Sequence, residues 1–124
     1  MTLQFEEKWD RTISDDDRKL FHNVYDQNPV QEGKLLFVPV RAAFNHRDHL
    51  LASVLIINGV EDWKLEDRLL HYVEDENIAE GRFTHELLVP SHSAVPWTFM
   101  FHPNSFRRPP ALHNWKVLFS SYEK

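Results

Sequence analysis

The sequence feature that most constrains the fold is a run of alternating aromatic residues near residue 100. Trp97, Phe99 and Phe101 alternate with Thr98 and Met100. Because successive side chains of a β-strand point to opposite faces of a sheet, this spacing puts three large aromatic side chains on one face. Large aromatic side chains at strand spacing are usually buried. The run therefore predicts a β-strand whose aromatic face lies in the hydrophobic core.

Further segments with strand-like spacing follow residue 33. Residues 35–44 and 50–57 are apolar runs on either side of the polar residues 45–48, which predicts a β-hairpin. Residues 63–73 fit one strand, two strands or a helical turn. Turn-forming residues recur about every 10–15 residues, a spacing typical of β-sandwiches. The predicted fold is mainly β, an antiparallel immunoglobulin-like β-sandwich with one short amino-terminal helix.

The predicted helix lies before these strands. Ser14 is a favourable N-cap residue, and the aspartates at 15–17 would lie in the first turn, where the helix dipole favours negative charge. Residues 26–29 end the helix, because the residue before a proline is disfavoured in helical conformation. One apolar stripe runs along it, formed by Leu20, Phe21, Val24 and Tyr25. We expect this stripe to pack on the sheet.

The composition indicates one globular domain. The chain has 124 residues, of which 42% are hydrophobic, and it has no cysteine. It lacks the about 18 consecutive apolar residues of a membrane span, and it can form neither disulfides nor thiolate metal sites. We expect residues 1–33 to form an amino-terminal arm and helix, and residues 34–124 to form the sandwich, together as a single compact unit.

Charge and the amino-terminal residues narrow the location and the partners. The formal net charge is -5, which gives no basic field to neutralise phosphates, so we expect a protein partner and no nucleic acid. Residues 1–9 have no basic segment followed by an apolar stretch, so no secretion signal is predicted there. We expect a cytoplasmic protein.

Catalytic motifs are missing from the sequence. It has no Gly-x-Ser-x-Gly motif, and its three glycines form no phosphate-binding loop. We therefore expect no enzymatic activity and no cofactor.

The weak candidates for a metal site are His46 and His49, which lie three residues apart in the predicted hairpin loop. A zinc site would require further ligands to converge on them, and His92 and His102 could do so at one end of a sandwich. Eight histidines in this chain make one close pair unremarkable, so a solvated turn is favoured. A metal-dependent hydrolase is the minor hypothesis that this pair leaves open.

Two tryptophans are predicted to be exposed. Trp9 lies in the charged amino-terminal arm, and Trp63 lies in the polar stretch 61–64. Because tryptophan is enriched at the centres of protein interfaces, both are candidate binding anchors. The same exposed aromatic residues suggest an alternative function, a carbohydrate-binding module.

Three segments of the chain carry a family resemblance. They are residues 55–59, 78–83 and 93–101, and residues 5–9 and 13–18 extend the resemblance towards the amino terminus. Together they resemble the SLAP domain of Firmicutes. The most specific part is the expected core motif formed by Pro96, Trp97, Thr98, Phe99 and Phe101.

The resemblance implies a non-catalytic accessory factor in an accessory Sec system or in S-layer protein assembly. Its implied partner is the accessory Sec ATPase or an exported cargo protein, and it carries over no catalytic residue. An exposed strand edge can accept an extended segment of another protein through main-chain hydrogen bonds. We therefore expect the contact surface to be a sheet edge or the amino-terminal arm.

Overall fold

The computed structural model describes residues 2–5 and 13–119. Over these residues, strands predominate and one α-helix is present, which confirms the mainly β prediction. None of the helices described is long and apolar enough to cross a membrane. The elements, in chain order, are β1 (Thr2–Leu3), α1 (Asp15–Gln27), β2 (Leu35–Phe44), β3 (Leu50–Asn58), β4 (Trp63–Lys64), β5 (Arg68–Val73), β6 (Asn77–Phe83), β7 (Leu88–Val89), β8 (Ser93–Phe101), a short 3₁₀ helix (Pro103–Ser105) and β9 (Lys116–Phe119).

The strands form two larger sheets and one small sheet. The four-stranded sheet has the order β1-β8-β3-β2, the three-stranded sheet has the order β6-β5-β9, and β4 pairs with β7. Strands β1 and β8 are parallel, and the other described pairs are antiparallel. The two larger sheets pack face to face and enclose the main core, as the sandwich prediction requires. This core includes Leu50, Ala52, Val54, Ile56, Leu70, Tyr72, Phe99, Phe101 and Val117.

The predicted hairpin is confirmed. Strands β2 and β3 pair from Phe44 opposite Leu50 to residue 35 opposite residue 58, with a register shift after Pro39. In the turn, the Asn45 side-chain oxygen accepts hydrogen bonds from the amides of residues 47 and 49. Asp48 adopts a φ of 63°, a conformation that aspartate tolerates better than most residues.

Residues 63–73 form two strands, β4 and β5, and no helical turn. The chain bends between them at Glu66 and Asp67, and Asp67 has a φ of 50°. Its amide donates a hydrogen bond to the Thr84 hydroxyl at 2.9 Å, which fixes the bend against the residue that follows β6. The bend separates two extended segments that periodicity alone could not resolve.

The helix begins where the sequence predicts. The Ser14 hydroxyl accepts a hydrogen bond from the Asp17 amide at 3.1 Å, and Phe21 is buried. Phe21 packs with Leu55 and Ile57 on the face of the four-stranded sheet opposite the main core. Leu20 is 36% exposed, so the buried stripe is narrower than predicted. The fold thus has three layers: one helix, then four strands, then three strands.

Candidate functional site

Trp63 was predicted to be an exposed binding anchor, and this is wrong. It is only 7% exposed, and its ring lies 5.8 Å from Phe37 and 6.1 Å from Phe119, measured between centroids. The polar residues beside it misled the prediction, because residues 62 and 64 are exposed on the opposite side of the chain. Alternation of buried Trp63 and Leu65 is the signal that could have identified a core position. Trp9 lies outside the described residues.

The motif on β8 lies largely in the core. Phe99 and Phe101 are fully buried, and Trp97 is partly buried against the same core, 5.6 Å from the His85 ring. Pro96 and Thr98 lie on the other face of the sheet, where the Thr98 hydroxyl is 2.8 Å from the Ser53 hydroxyl. The motif therefore builds the sandwich.

The structure brings only two of the candidate metal ligands together. The rings of His49 and His102 are 5.0 Å apart, and His46 is exposed in the hairpin turn. His92 lies at the other end of β8, about 30 Å from His102 along the strand, so the expectation of a shared end was wrong. Within residues 2–5 and 13–119, no group of three or more potential ligands could hold a metal ion.

A groove lies between β2 and β9, the edge strands of the two larger sheets. We call it the edge groove, and its volume is about 540 Å³. Two segments of five consecutive residues, 35–39 and 115–119, line the groove, so the main chain of both segments borders it. The lining consists of Asn28, Leu35, Leu36, Phe37, Val38 and Pro39 on one side, and Trp115, Lys116, Val117, Leu118 and Phe119 on the other.

The main chain of β2 is open along this groove. Among the described residues, β2 pairs with β3 alone. The Lys34 carbonyl accepts a hydrogen bond from the Gly59 amide at 2.7 Å, so the carbonyl of residue 34 points towards β3. Because the main-chain N–H and carbonyl groups of successive residues in a strand point to opposite edges, those of Leu35 and Phe37 point to the open edge of β2. Pro39, which has no N–H group, falls on this open side, where a proline interrupts no ladder.

The floor of the edge groove is aromatic. The rings of Phe37 and Phe119 lie 5.2 Å apart and connect the two sheets at this side of the sandwich. Leu118 is 43% exposed on β9, whereas its neighbour Val117 is buried. The groove therefore combines an apolar floor with open main-chain groups, and this is the combination that an added strand requires.

The charge of the groove differs from that of the whole chain. The chain has a formal net charge of -5, yet the described lining contains one lysine, Lys116, and no carboxylate. Lys34, which precedes β2, is also exposed. The groove therefore favours a partner that carries negative charge close to an apolar segment.

A cluster around Glu74 positions the segment that leads into β9. The Glu74 carboxylate accepts hydrogen bonds from the Tyr72 hydroxyl at 2.7 Å and from the amides of Ala111 and Leu112 at 2.9 and 3.0 Å. Arg108 donates to it at 3.2 Å, and Arg108 also pairs with Asp75 and Glu76. We call Tyr72, Glu74, Arg108, Ala111 and Leu112 the Glu74 cluster. It joins the turn after β5 to the connection between β8 and β9.

Burial and hydrogen bonding act in opposite directions on the Glu74 carboxyl. Burial raises its pKa, but hydrogen bonds from Tyr72, Leu112 and Ala111, with the charge of Arg108, outweigh burial and hold the pKa below its ordinary value. Burial, followed by the hydrogen bond to Glu74, raises the pKa of the Tyr72 hydroxyl. Glu74 is thus ionised and Tyr72 is protonated at neutral pH, which is the arrangement of a structural anchor.

Sequence reasoning missed both the edge groove and the Glu74 cluster. Pro39 was a usable signal for the groove, because proline within a strand indicates an edge. The cluster had no comparable signal, since Glu74 and Ala111 are 37 positions apart.

The comparisons with known proteins identify one family. A family model described as the SLAP domain matches residues 3–121 of the chain. No curated protein and no solved structure matches it.

Proposed function

The chain belongs to the SLAP domain family, and from this premise we propose that it is a non-catalytic, protein-binding accessory factor in the cytoplasm. It acts in accessory Sec-dependent protein export or in S-layer protein assembly, and its partner is the accessory Sec ATPase or an exported cargo protein. The observation that carries this proposal is the edge groove, an apolar surface bordered by β2 and β9, each of which pairs with a single strand among the described residues.

The groove supports protein binding for a physical reason. An open edge offers main-chain donors and acceptors, and an adjoining apolar surface stabilises whatever covers it. Leu118 is 43% exposed on β9, and it belongs to the small group of large apolar side chains left exposed among the described residues. Covering this leucine and the half-buried Phe37 removes apolar surface from water, so a protein segment would gain affinity there.

The proposal is tested by affinity capture with the intact chain as bait. We expect capture from a native lysate to recover the accessory Sec ATPase or an exported cargo protein, identified by mass spectrometry. Leu118→Asp puts a charge on the groove and should abolish this recovery. Leu88→Asp is the matched control, because Leu88 is 46% exposed on β7, away from the groove.

A second measurement addresses the pathway. Deletion of the gene should reduce secretion of an accessory Sec reporter protein, and expression of the unaltered chain should restore it. Recovery of neither partner by the unaltered bait, together with a reporter that is unaffected by deletion, would refute the proposal.

A further inference from the structure

We infer that the occupant of the edge groove is an extended segment that adds to β2 as a strand, with alternating apolar residues and an acidic residue beside Lys116. The inference rests on the proposed function, because it specifies the chemistry of the partner segment at the same site. It is carried by three features of the groove: its open main-chain groups, its aromatic floor and its charge.

The open part of β2 defines the length of the added strand. Leu35 and Phe37 each direct one N–H and one carbonyl group to the open edge, whereas Pro39 offers only a carbonyl. The register shift between Pro39 and Arg41 then disrupts the strand. Pairing is therefore confined to residues 35–38, a length of about 14 Å. A short segment suffices to fill it.

The side chains around the groove define the pattern of the added strand. One face of that strand lies over Phe37 and Phe119, whose rings are 5.2 Å apart. The other face points to the helix side of the sheet, where Leu36, Val38 and the helix C-cap residue Asn28 line the groove. Since side chains alternate between faces, the occupant has apolar residues at every second position, over the aromatic floor.

The charge of the groove defines the flank of the segment. Lys116 is exposed at the start of β9, and no carboxylate is among the described residues that line the groove. An acidic residue at that end of the segment gains an ion pair, and a basic residue there meets repulsion. The chain as a whole is acidic, so the described groove lining differs in charge from the chain average.

The direct test is fluorescence anisotropy with synthetic labelled peptides and the full chain. The probe is a ten-residue peptide of alternating valine and threonine with two glutamates at one end. Two versions carry N-methyl groups on alternate amides, either on the set that faces β2 or on the set that faces away. We expect methylation of one set to weaken binding about tenfold or more, and methylation of the other set to leave it nearly unchanged.

The contribution of the Lys116 charge is tested by reversing the charge at this position and in the peptide. Lys116→Glu should weaken binding of the glutamate-flanked peptide about fivefold and should strengthen binding of a lysine-flanked peptide by a similar factor. Loss of structure cannot explain weaker binding of one peptide together with stronger binding of the other. The two peptides therefore distinguish a change in charge recognition from misfolding of the variant. Lys64→Glu is the control, because Lys64 is exposed on β4, outside the groove, and should change neither affinity.

Two outcomes would overturn the inference. Equal affinity of all three peptides would show that no strand adds to β2. Sedimentation that reveals a dimer, dissociated by Leu118→Asp, would show that a second copy of the chain occupies the groove. Capture of the Sec ATPase or of cargo by the intact chain is measured separately, so failure of this inference and failure of the proposed function are distinguishable.

Discussion

The β3–β8 ladder lies within the four-stranded sheet, whereas the connection between β8 and β9 passes to the three-stranded sheet, and different interactions hold the two regions. The ladder pairs nine residues of each strand, and one of its faces is a continuous apolar layer that includes Val54, Ile56, Phe99 and Phe101. Burial of these side chains is its main stabilisation. Each strand of the ladder is specified by its own local pattern of residues.

The connection, residues 102–115, has few buried apolar residues. It is held by the Glu74 carboxylate, which binds the amides of Ala111 and Leu112 and the side chain of Arg108. Trp115 then stacks on Tyr72, with ring centroids 5.6 Å apart. One buried carboxylate therefore fixes a segment that burial alone would leave loose. Because the connection ends at β9, Glu74 also determines where one wall of the edge groove lies.

The largest difference between the two regions should appear at Phe99. Phe99→Ala removes a fully buried ring from the ladder and should lower the free energy of unfolding by about 3–5 kcal/mol. Met100→Ala, at the next position of the same strand and 52% exposed, should change it by less than about 0.5 kcal/mol. Urea unfolding followed by tryptophan fluorescence measures both. Similar losses at the two positions would mean that burial does not dominate in the ladder.

The connection should respond to a change that leaves side-chain volume constant. Glu74→Gln keeps the shape but removes the charge that accepts four hydrogen bonds, and it should lower the free energy of unfolding by about 2–3 kcal/mol. Glu76→Gln is the control, because the Glu76 side chain is 61% exposed and its bond to Arg108 is long at 3.4 Å. Its effect should be below about 1 kcal/mol. Equal effects of the two substitutions would contradict the role given to Glu74.

The two regions should also differ in their dependence on pH. The native pKa of Glu74 lies below its ordinary value of 4.5, so its stabilisation is fully present above that value and is lost as pH falls through the native pKa. The difference in unfolding free energy between the unaltered chain and Glu74→Gln should therefore shrink from about pH 5 to about pH 3. Phe99→Ala should keep a constant difference over the same range. A constant difference for both variants would show that Glu74 does not titrate as described.

Local sequence patterns were sufficient to predict individual strands, the hairpin and the start of the helix. Period-two spacing identified β8, two apolar runs around a polar loop identified the β2–β3 hairpin, and Ser14 identified the start of the helix. Trp63 was misplaced because its charged neighbours were given more weight than its alternation with Leu65. Pairing of β1 with β8, which is parallel and joins distant segments, had no local signal.

The edge groove and the Glu74 cluster lay beyond such patterns for the same physical reason. A groove between two edges exists only once the strand order is known, and that order is set by contacts between distant residues such as Phe37 and Phe119. Three partners of Glu74, namely Arg108, Ala111 and Leu112, are 34 to 38 positions away. The residue types were visible in the sequence, but their convergence depends on the folded chain.

The smallest expected effect concerns the backbone conformation of the connection at residue 114. Asn114 is exposed and has a φ of 51°, a region that asparagine and glycine tolerate and alanine does not. Asn114→Ala should therefore lower the free energy of unfolding by about 1 kcal/mol, and Asn114→Gly should change it by about 0.3 kcal/mol. Both variants remove the Asn114 side-chain amide, so they differ mainly in how well the new residue tolerates a positive φ. If alanine and glycine have equal effects, the positive φ at residue 114 carries no cost for alanine, and the hydrogen bonds of Glu74 alone distinguish the connection from the ladder.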